Sequence, residues 1–147
     1  MTIDPVEMTE FDHRRLSALL ERISREPALP ARDWHLFQPL RQKLQTARCV
    51  DAAEIAPGVV TMGSTVRFRE LDSGEWWTFT LCYPGEARID EGRISVLAPL
   101  GMAILGQRVG DVVDWPIPRG SVRIRIGKLT YQPEAAGVHD EPELVLG

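Results

Sequence analysis

The spacing of apolar residues along the chain changes from a helical period to a period of two near residue 59. After Thr9, apolar positions recur every three or four residues, which predicts an amphipathic helix. The apolar stripe of this helix consists of Phe11, Leu16, Leu19, Leu20 and Ile23. Thr9 and Asp12 have the spacing of a capping box, with Thr9 as the cap and Asp12 reaching back to it. The helix is expected to end at Pro27.

A second helix is predicted from residue 39 to about residue 48, because a proline such as Pro39 is tolerated in a first helical turn. The residues expected to face the first helix are Leu40, Leu44 and Ala47. The connection is expected to include one helical turn with Trp34, Leu36 and Phe37. The sequence therefore predicts a short N-terminal antiparallel helical hairpin over residues 1–56.

The period of two after residue 59 predicts β-strands. Val66 and Phe68 alternate with Arg67 and Arg69, and residues 72–74 have the composition of a hairpin turn. The same alternation continues at Trp77, Phe79, Leu81 and Tyr83 and at Val122, Ile124 and Ile126, and a further strand is predicted at Val112, Val113 and Trp115. This pattern predicts a four- or five-stranded antiparallel sheet with one buried face, and an α+β fold for the chain.

Residues 94–111 interrupt this alternation with glycines and a proline at fixed offsets. They read Ile-Ser-x-x-Ala-Pro-Leu-Gly-x-Ala-Ile-Leu-Gly-x-x-x-Gly-Asp. The segment is expected to start as a strand (residues 93–96) and to continue as a short helix with Pro99 in its first position. Gly106 would end this helix in a left-handed conformation, and Gly110 would form the next turn. A helix this short is not stable alone, so we expect the sheet to pack on both of its sides.

Composition indicates a soluble globular protein. The 147 residues are 44% hydrophobic and 26% charged, without an apolar run of membrane-spanning length or a signal peptide, so a cytoplasmic location is expected. Cys49 and Cys82 suggest neither a disulfide framework nor a metal site.

The net charge of −4 lies in the last part of the chain, and residues 138–147 are expected to form an acidic tail. Because the remainder is nearly neutral, a protein partner is favoured over bulk nucleic-acid binding.

The segment of residues 94–111 resembles the C-terminal domain of the bacterial Gre transcript-cleavage factors. The resemblance to their short relatives, the regulator of nucleoside diphosphate kinase family, is closer. Three further segments carry it: Val60-Thr61-Met62-x-Ser64-x-Val66-x-Phe68, Tyr83-Pro84, and Tyr131-Gln132-Pro133-Glu134-Ala135-Ala136-Gly137. It is close over residues 59–137 and present in outline before them. The resemblance implies an FKBP-like domain over residues 57–137, in which the antiparallel sheet wraps one short helix, and a truncated coiled-coil arm before it.

The resemblance also implies a way of acting on RNA polymerase. In Gre factors the arm enters the secondary channel of the polymerase, and acidic residues at its tip hold magnesium for transcript cleavage. The corresponding connection here offers only Glu26 and Asp33, separated by two prolines, on a much shorter arm. Since a hard cation needs closely spaced carboxylates, we expect these two residues to be solvated loop residues and not metal ligands.

Two further surfaces are candidates for binding a partner. The proline loop, residues 96–101, corresponds to a loop that helps Gre factors dock on polymerase, and its candidate contacts are Leu97, Pro99 and Leu100. The alternative is that these residues only fill the core. The basic face consists of Arg67, Arg69, Arg123 and Arg125, which alternate with core positions and suit an acidic surface or a phosphate. The alternative there is a solvated face whose arginines neighbour Glu70, Glu75 and Glu86.

The sequence thus predicts a transcription regulator without catalytic residues, metal or cofactor. It is expected to bind RNA polymerase near the secondary channel, to compete with Gre factors, and to influence nucleoside diphosphate kinase indirectly. Neither a membrane nor a specific nucleic-acid sequence is expected as a partner. Two enzymatic alternatives remain open: a transcript-cleavage factor, and a prolyl isomerase. The isomerase would need an open pocket, for which the candidate lining residues are Trp76, Trp77, Tyr83 and Trp115, although alternation assigns most of these to a filled core.

Overall fold

A computed structural model describes residues 5–25 and 31–137 of the chain. Pro27, Glu26 and the predicted acidic tail lie outside the described residues. In chain order the elements are β1 (Glu7–Thr9), α1 (Glu10–Ser24), a 3-10 helix (Ala31–Phe37), α2 (Gln38–Thr46), β2 (Arg48–Val50), β3 (Thr65–Glu70), β4 (Trp76–Cys82), two 3-10 turns (Pro84–Glu86 and Ile89–Glu91), β5 (Arg93–Ser95), α3 (Pro99–Ile104), β6 (Val112–Ile117) and β7 (Gly120–Tyr131).

The main sheet has five strands in the order β5-β4-β3-β7-β6. All neighbours are antiparallel except β4 and β5, which run parallel. The α+β class with a mainly antiparallel sheet is confirmed, but the edge pair differs from the prediction. After β4 the chain passes through both 3-10 turns and Gly92 before it re-enters the sheet, and this detour lets β5 run in the same direction as β4.

A second, two-stranded parallel sheet joins β1 to β2 and was not predicted. Arg48 donates its backbone N–H to the Val6 carbonyl at 2.9 Å, and α2 therefore ends at Thr46, two residues before the predicted end. Each strand has only three residues and shows no alternation. Because β1 leads into α1 and β2 follows α2, their pairing holds the start of α1 next to the end of α2.

Helix α1 begins as predicted, with one correction at its cap. The Thr9 hydroxyl accepts the backbone N–H of Asp12 at 3.0 Å. The Asp12 carboxylate, however, does not complete a capping box with Thr9 but accepts the backbone N–H of Met62 at 3.0 Å. Asp12 is therefore a buried contact between the first helix and the segment that leads into β3.

The buried core is continuous between the helices and the sheet. Its members are Met8, Leu16, Leu19, Leu20, Leu40, Leu44, Val60, Met62, Val66, Phe68, Leu81, Ile94, Val96, Leu100, Met102, Ile104, Leu105, Ile124 and Ile126. The helical stripe and the alternating strand positions thus meet in one apolar cluster. The boundaries at residues 56 and 137 remain predictions.

Helix α3 has the predicted proline start and glycine end. Pro99 occupies the first turn, and Gly106 and Gly110 have φ of +80° and +97°, where glycine is favoured. Gly101 is required by space, because a Cβ there would overlap the carbonyl oxygen of Ser95. Helix α3 contacts β5 and β6, the strands at the two edges of the sheet, as predicted, and it also contacts α2, which was not predicted.

Lys43 makes the polar part of the contact between α2 and α3. Its ammonium group donates to the carbonyl oxygens of Met102, Ala103 and Leu105 at 2.7, 3.0 and 2.6 Å. Burial lowers the pKa of Lys43 to about 7. The three carbonyl oxygens at the negative end of the helix oppose this effect, because a neutral amine has only two N–H donors for three acceptors. We therefore assign the charged form, which caps α3.

Candidate functional site

The proline loop is held by Ser95, the last residue of β5. The Ser95 hydroxyl accepts the N–H of Leu97 at 2.9 Å, and the Ser95 carbonyl accepts the N–H of Ala98 at 3.0 Å. These bonds close a turn that places Pro99 in solvent and leaves Leu97 half-buried. Leu100 is only 4% exposed and belongs to the core, since the helix directs it towards the sheet. Of the three predicted contacts, Pro99 and part of Leu97 are available to a partner, and Leu100 is not.

A row of aromatic side chains continues over the inner face of the sheet. Trp77 stacks on Phe79 with centroids 6.4 Å apart, Phe79 on Phe68 at 6.0 Å, and Trp115 meets Phe68 edge-on at 6.2 Å. Phe68 is buried, but Trp77 at the end of the row is 38% exposed. A six-residue helix covers only ~9 Å of sheet. The inner face therefore keeps an accessible aromatic end.

The four aromatic residues considered for an isomerase pocket do not share one site. Trp76 lies on the outer face of β4 and Trp77 on the inner face, because neighbouring strand residues point to opposite sides. Tyr83 lies instead under the guanidinium of Arg15, 4.3 Å from its ring centre. Of the three residues that alternation assigned to the core, Tyr83 and Trp115 are partly buried against it, but Trp77 is 38% exposed.

The predicted arm tip is only partly described. Asp33 lies half-buried in the 3-10 helix that also contains Trp34 and Phe37, whose rings meet edge-on at 5.9 Å. Within residues 5–25 and 31–137, no three His, Cys, Asp or Glu side chains are grouped closely enough to hold a metal ion. Glu26 falls outside that part of the chain, so the solvated role of the pair remains a prediction.

The basic face lies on the outer side of β3 and β7, away from the core. Its four arginines are exposed and occupy adjacent strands, with Arg69 opposite Arg125. Arg69 donates its Nε–H to the Gly74 carbonyl at 3.3 Å. In the described part of the chain, none of the four forms an ion pair, including with the neighbours proposed from sequence, Glu70, Glu75 and Glu86.

A buried polar junction around Asp12 was missed by sequence reasoning. Burial raises the pKa of Asp12 to about 7, and the negative charge of Glu134 makes a smaller contribution in the same direction. The N–H of Met62 and the positive charge of Arg15 act in the opposite direction and lower the pKa. The Thr61 hydroxyl donates to Glu134 at 2.6 Å and contacts the Ser64 hydroxyl at 3.0 Å. The available signal was the position of Asp12 beside Leu16 and Leu19 on the apolar side of α1.

The segments around Thr61 and Gln132, which carried the resemblance, contact each other. Gln132 donates its side-chain amide to the carbonyls of Ala56 and Val59 at 2.8 and 2.7 Å. Its amide oxygen accepts the N–H of Ala135 at 3.1 Å. Together with the Thr61–Glu134 bond, these contacts fasten the end of β7 to the start of the sheet domain, so this part of the pattern has a structural role.

Comparisons with known proteins agree with this architecture. Residues 55–131 match the family model for the C-terminal part of the transcription elongation factors GreA and GreB. The regulator of nucleoside diphosphate kinase of Escherichia coli K12 is 38% identical over 141 residues, covering 93% of this chain and 97% of that protein. GreA of Listeria welshimeri is 37% identical over 91 residues, which cover 62% of this chain and 57% of that protein.

A solved structure gives the same result. The GreA/GreB-type elongation factor of Nitrosomonas europaea has 43% sequence identity and a TM-score of 0.68, covering 86% of this chain and 99% of that one. The fold and the matched C-terminal part define a Gre-type protein. Within that class, the chain belongs to the regulator of nucleoside diphosphate kinase family. Among the described residues, no helix combines the length and apolar character needed to cross a membrane.

Proposed function

We propose that this protein is a non-catalytic, cytoplasmic transcription regulator that binds RNA polymerase near its secondary channel and competes there with Gre factors. The observation that carries the proposal is the exposed Pro99 at the start of α3, together with the accessible aromatic end on the inner face of the same sheet. An apolar rim beside a concave sheet is the usual anatomy of a protein-docking surface. Membership of a family that includes transcription elongation factors supports polymerase as the partner. We interpret the sheet and α3 as the FKBP-like domain of such a factor.

The helical part supports occupancy of the channel entrance without cleavage. We interpret α1 and α2 as a truncated arm, in which His13 near the start of α1 contacts the Leu44 carbonyl near the end of α2 at 2.7 Å, as expected for antiparallel helices. The fifteen residues of α1 span only ~22 Å. The arm of a Gre cleavage factor is markedly longer. An effect on nucleoside diphosphate kinase, the activity in the name of the Escherichia coli relative, would then arise indirectly through transcription.

The docking role of the proline loop predicts that Pro99→Asp weakens binding to core RNA polymerase at least tenfold. Aspartate is well tolerated in a first helical turn, so the fold should remain while a charge enters the apolar rim. The measurement is the dissociation constant with immobilised core polymerase. Pro118→Asp, at the exposed turn between β6 and β7, introduces the same charge elsewhere and should change binding less than twofold.

Unchanged affinity of a folded Pro99→Asp variant would contradict the role of the loop. Circular dichroism and a melting curve establish that the variant is folded. If Pro99→Asp unfolds, the loop is a core element, and Trp77→Ala then tests the aromatic end of the same surface with the same assay. Loss of affinity is expected there as well, because Trp77 contributes exposed apolar area to the inner face of the sheet.

A further inference from the structure

Five basic side chains occupy neighbouring outward positions in the middle of the main sheet. Arg69 on β3 stands opposite Arg125 on β7, and Arg67 stands opposite Lys128. Arg123 is the next outward residue on β7 and lies opposite Asp114 on β6. Paired strands lie about 4.8 Å apart and alternate residues ~6.7 Å apart. Arg123, Arg125 and Arg69 follow this spacing, and Arg67 and Lys128 lie beyond a shift of the register between Arg67 and Phe68.

The array is not neutralised within the described part of the chain. None of the five cations lies within ion-pair distance of a carboxylate there, and Asp114 is the one acid opposite them in the strand register. The protein as a whole carries a charge of −4, and twelve of its 17 Lys and Arg residues lie elsewhere, so this array is a local cluster of positive charge on one face. Neighbouring arginines that lack a carboxylate partner fit a partner with several anionic groups.

An exposed indole ring lies within this array. Trp76 is 45% exposed, with the guanidinium of Arg67 4.3 Å and that of Arg69 5.7 Å from the ring centre. The ring extends from β4 across β3, and a Cβ at Gly127 on β7 would lie only 2.7 Å from its Cζ3 atom. The absence of a side chain at Gly127 therefore makes room for Trp76 on the sheet surface. At such a site the cations can bind phosphates, and the indole can stack on an unpaired base.

We propose that this outer face binds single-stranded nucleic acid without sequence preference. The basic face together with Lys128 would contact phosphates, and Trp76 would stack on a base. An acidic protein surface would use the same charges but would gain nothing from an exposed ring between them. Because the contacts are to phosphates and base faces, RNA and DNA single strands are expected to bind alike. The surface lies on the outer face of the sheet, whereas α3 packs against the core on the inner face, so this binding is expected to occur without polymerase.

The test is fluorescence anisotropy with labelled twelve-residue oligouridine and oligothymidine in low salt. Affinities in the micromolar range, typical of non-specific binding, are expected, and they should agree within about threefold between the two oligomers. The logarithm of the binding constant should fall with the logarithm of salt concentration with a slope of about −2 to −3.5, as for three to five phosphate contacts. A duplex of the same length should bind less tightly, since its bases cannot stack on Trp76.

Three variants locate the site. Arg123→Gln with Arg125→Gln should weaken binding at least tenfold, whereas Arg22→Gln with Arg41→Gln, exposed arginines on α1 and α2, makes the same change of charge and should alter it less than twofold. Trp76→Leu should weaken binding about fivefold. Equal loss in both arginine pairs, or unchanged binding by Trp76→Leu, would overturn the proposal. Equally tight binding of a polyglutamate peptide would overturn it in favour of an acidic protein partner.

Discussion

Replacement of Lys43 by methionine should lower the free energy of unfolding by about 2–4 kcal/mol. Three carbonyl oxygens at the end of α3 lose their donor, and each hydrogen bond to a charged group contributes roughly 1.5–3 kcal/mol. The gain from no longer burying an ammonium offsets part of this loss. The expected result is a lower urea midpoint with an unchanged slope, and a lower melting temperature.

A matched control is available because the chain has a second, exposed lysine. Lys128→Met makes the same chemical change on the outer surface of β7 and should alter the unfolding free energy by less than about 0.5 kcal/mol. Equal effects of the two substitutions would show that Lys43 does not fasten α2 to α3. The stability of so short a helix as α3 would then depend on its apolar contacts alone.

The second large effect concerns Asp12 and pH. The pKa of Asp12 is raised to about 7 in the folded protein, chiefly by burial, from an ordinary value of 3.8. Between these values the folded state binds more protons than the unfolded state, so the contribution of Asp12 to stability falls as pH rises from about 4 to about 7. A tenfold change in proton affinity is worth about 1.4 kcal/mol, so the whole fall is on the order of 4 kcal/mol.

Asp12→Asn removes this titration while an amide oxygen can still accept the N–H of Met62. The difference in unfolding free energy between wild type and Asp12→Asn should therefore change by about 2–4 kcal/mol between pH 5 and pH 8, in favour of the variant at the higher pH. Urea titrations at several pH values measure it. Asp51→Asn, at an exposed position, should follow the wild-type curve. If Asp12→Asn also runs parallel to wild type, the carboxyl group is not the buried, titrating junction described above.

Much of the fold could be predicted because local signals and long-range packing agree. Thr9 begins α1, the alternation around Phe68 gives β3, and Pro99 with Gly106 delimits α3. In each case a local pattern is sufficient, since a cap, a period or a positive φ depends on a few neighbouring residues. The outward positions of the four arginines followed from the same alternation.

The rest depends on partners that are distant in sequence. The strands β1 and β2 have three residues each, and each is stabilised mainly by pairing with the other, although α1 and α2 separate them in sequence. Asp12 was assigned only to the helix cap and Lys43 was assigned no role. Their partners, the N–H donor of Met62 and the carbonyl acceptors at the end of α3, lie 50 and up to 62 residues away. Leu100 and Pro99 are neighbours in the proline loop, yet one is buried and the other exposed. Only the rotation of α3 against the sheet decides between them.

The most direct test of a non-catalytic polymerase regulator uses backtracked elongation complexes with labelled transcript and magnesium. The protein alone should produce no cleavage above background, and rising concentrations should slow the cleavage that added GreA stimulates. Pro99→Asp should lose that inhibition, and Pro118→Asp should keep it. Transcript cleavage by the protein itself, abolished by Glu26→Ala with Asp33→Ala, would contradict the account. So would GreA-stimulated cleavage that stays unchanged at a large excess of the folded protein.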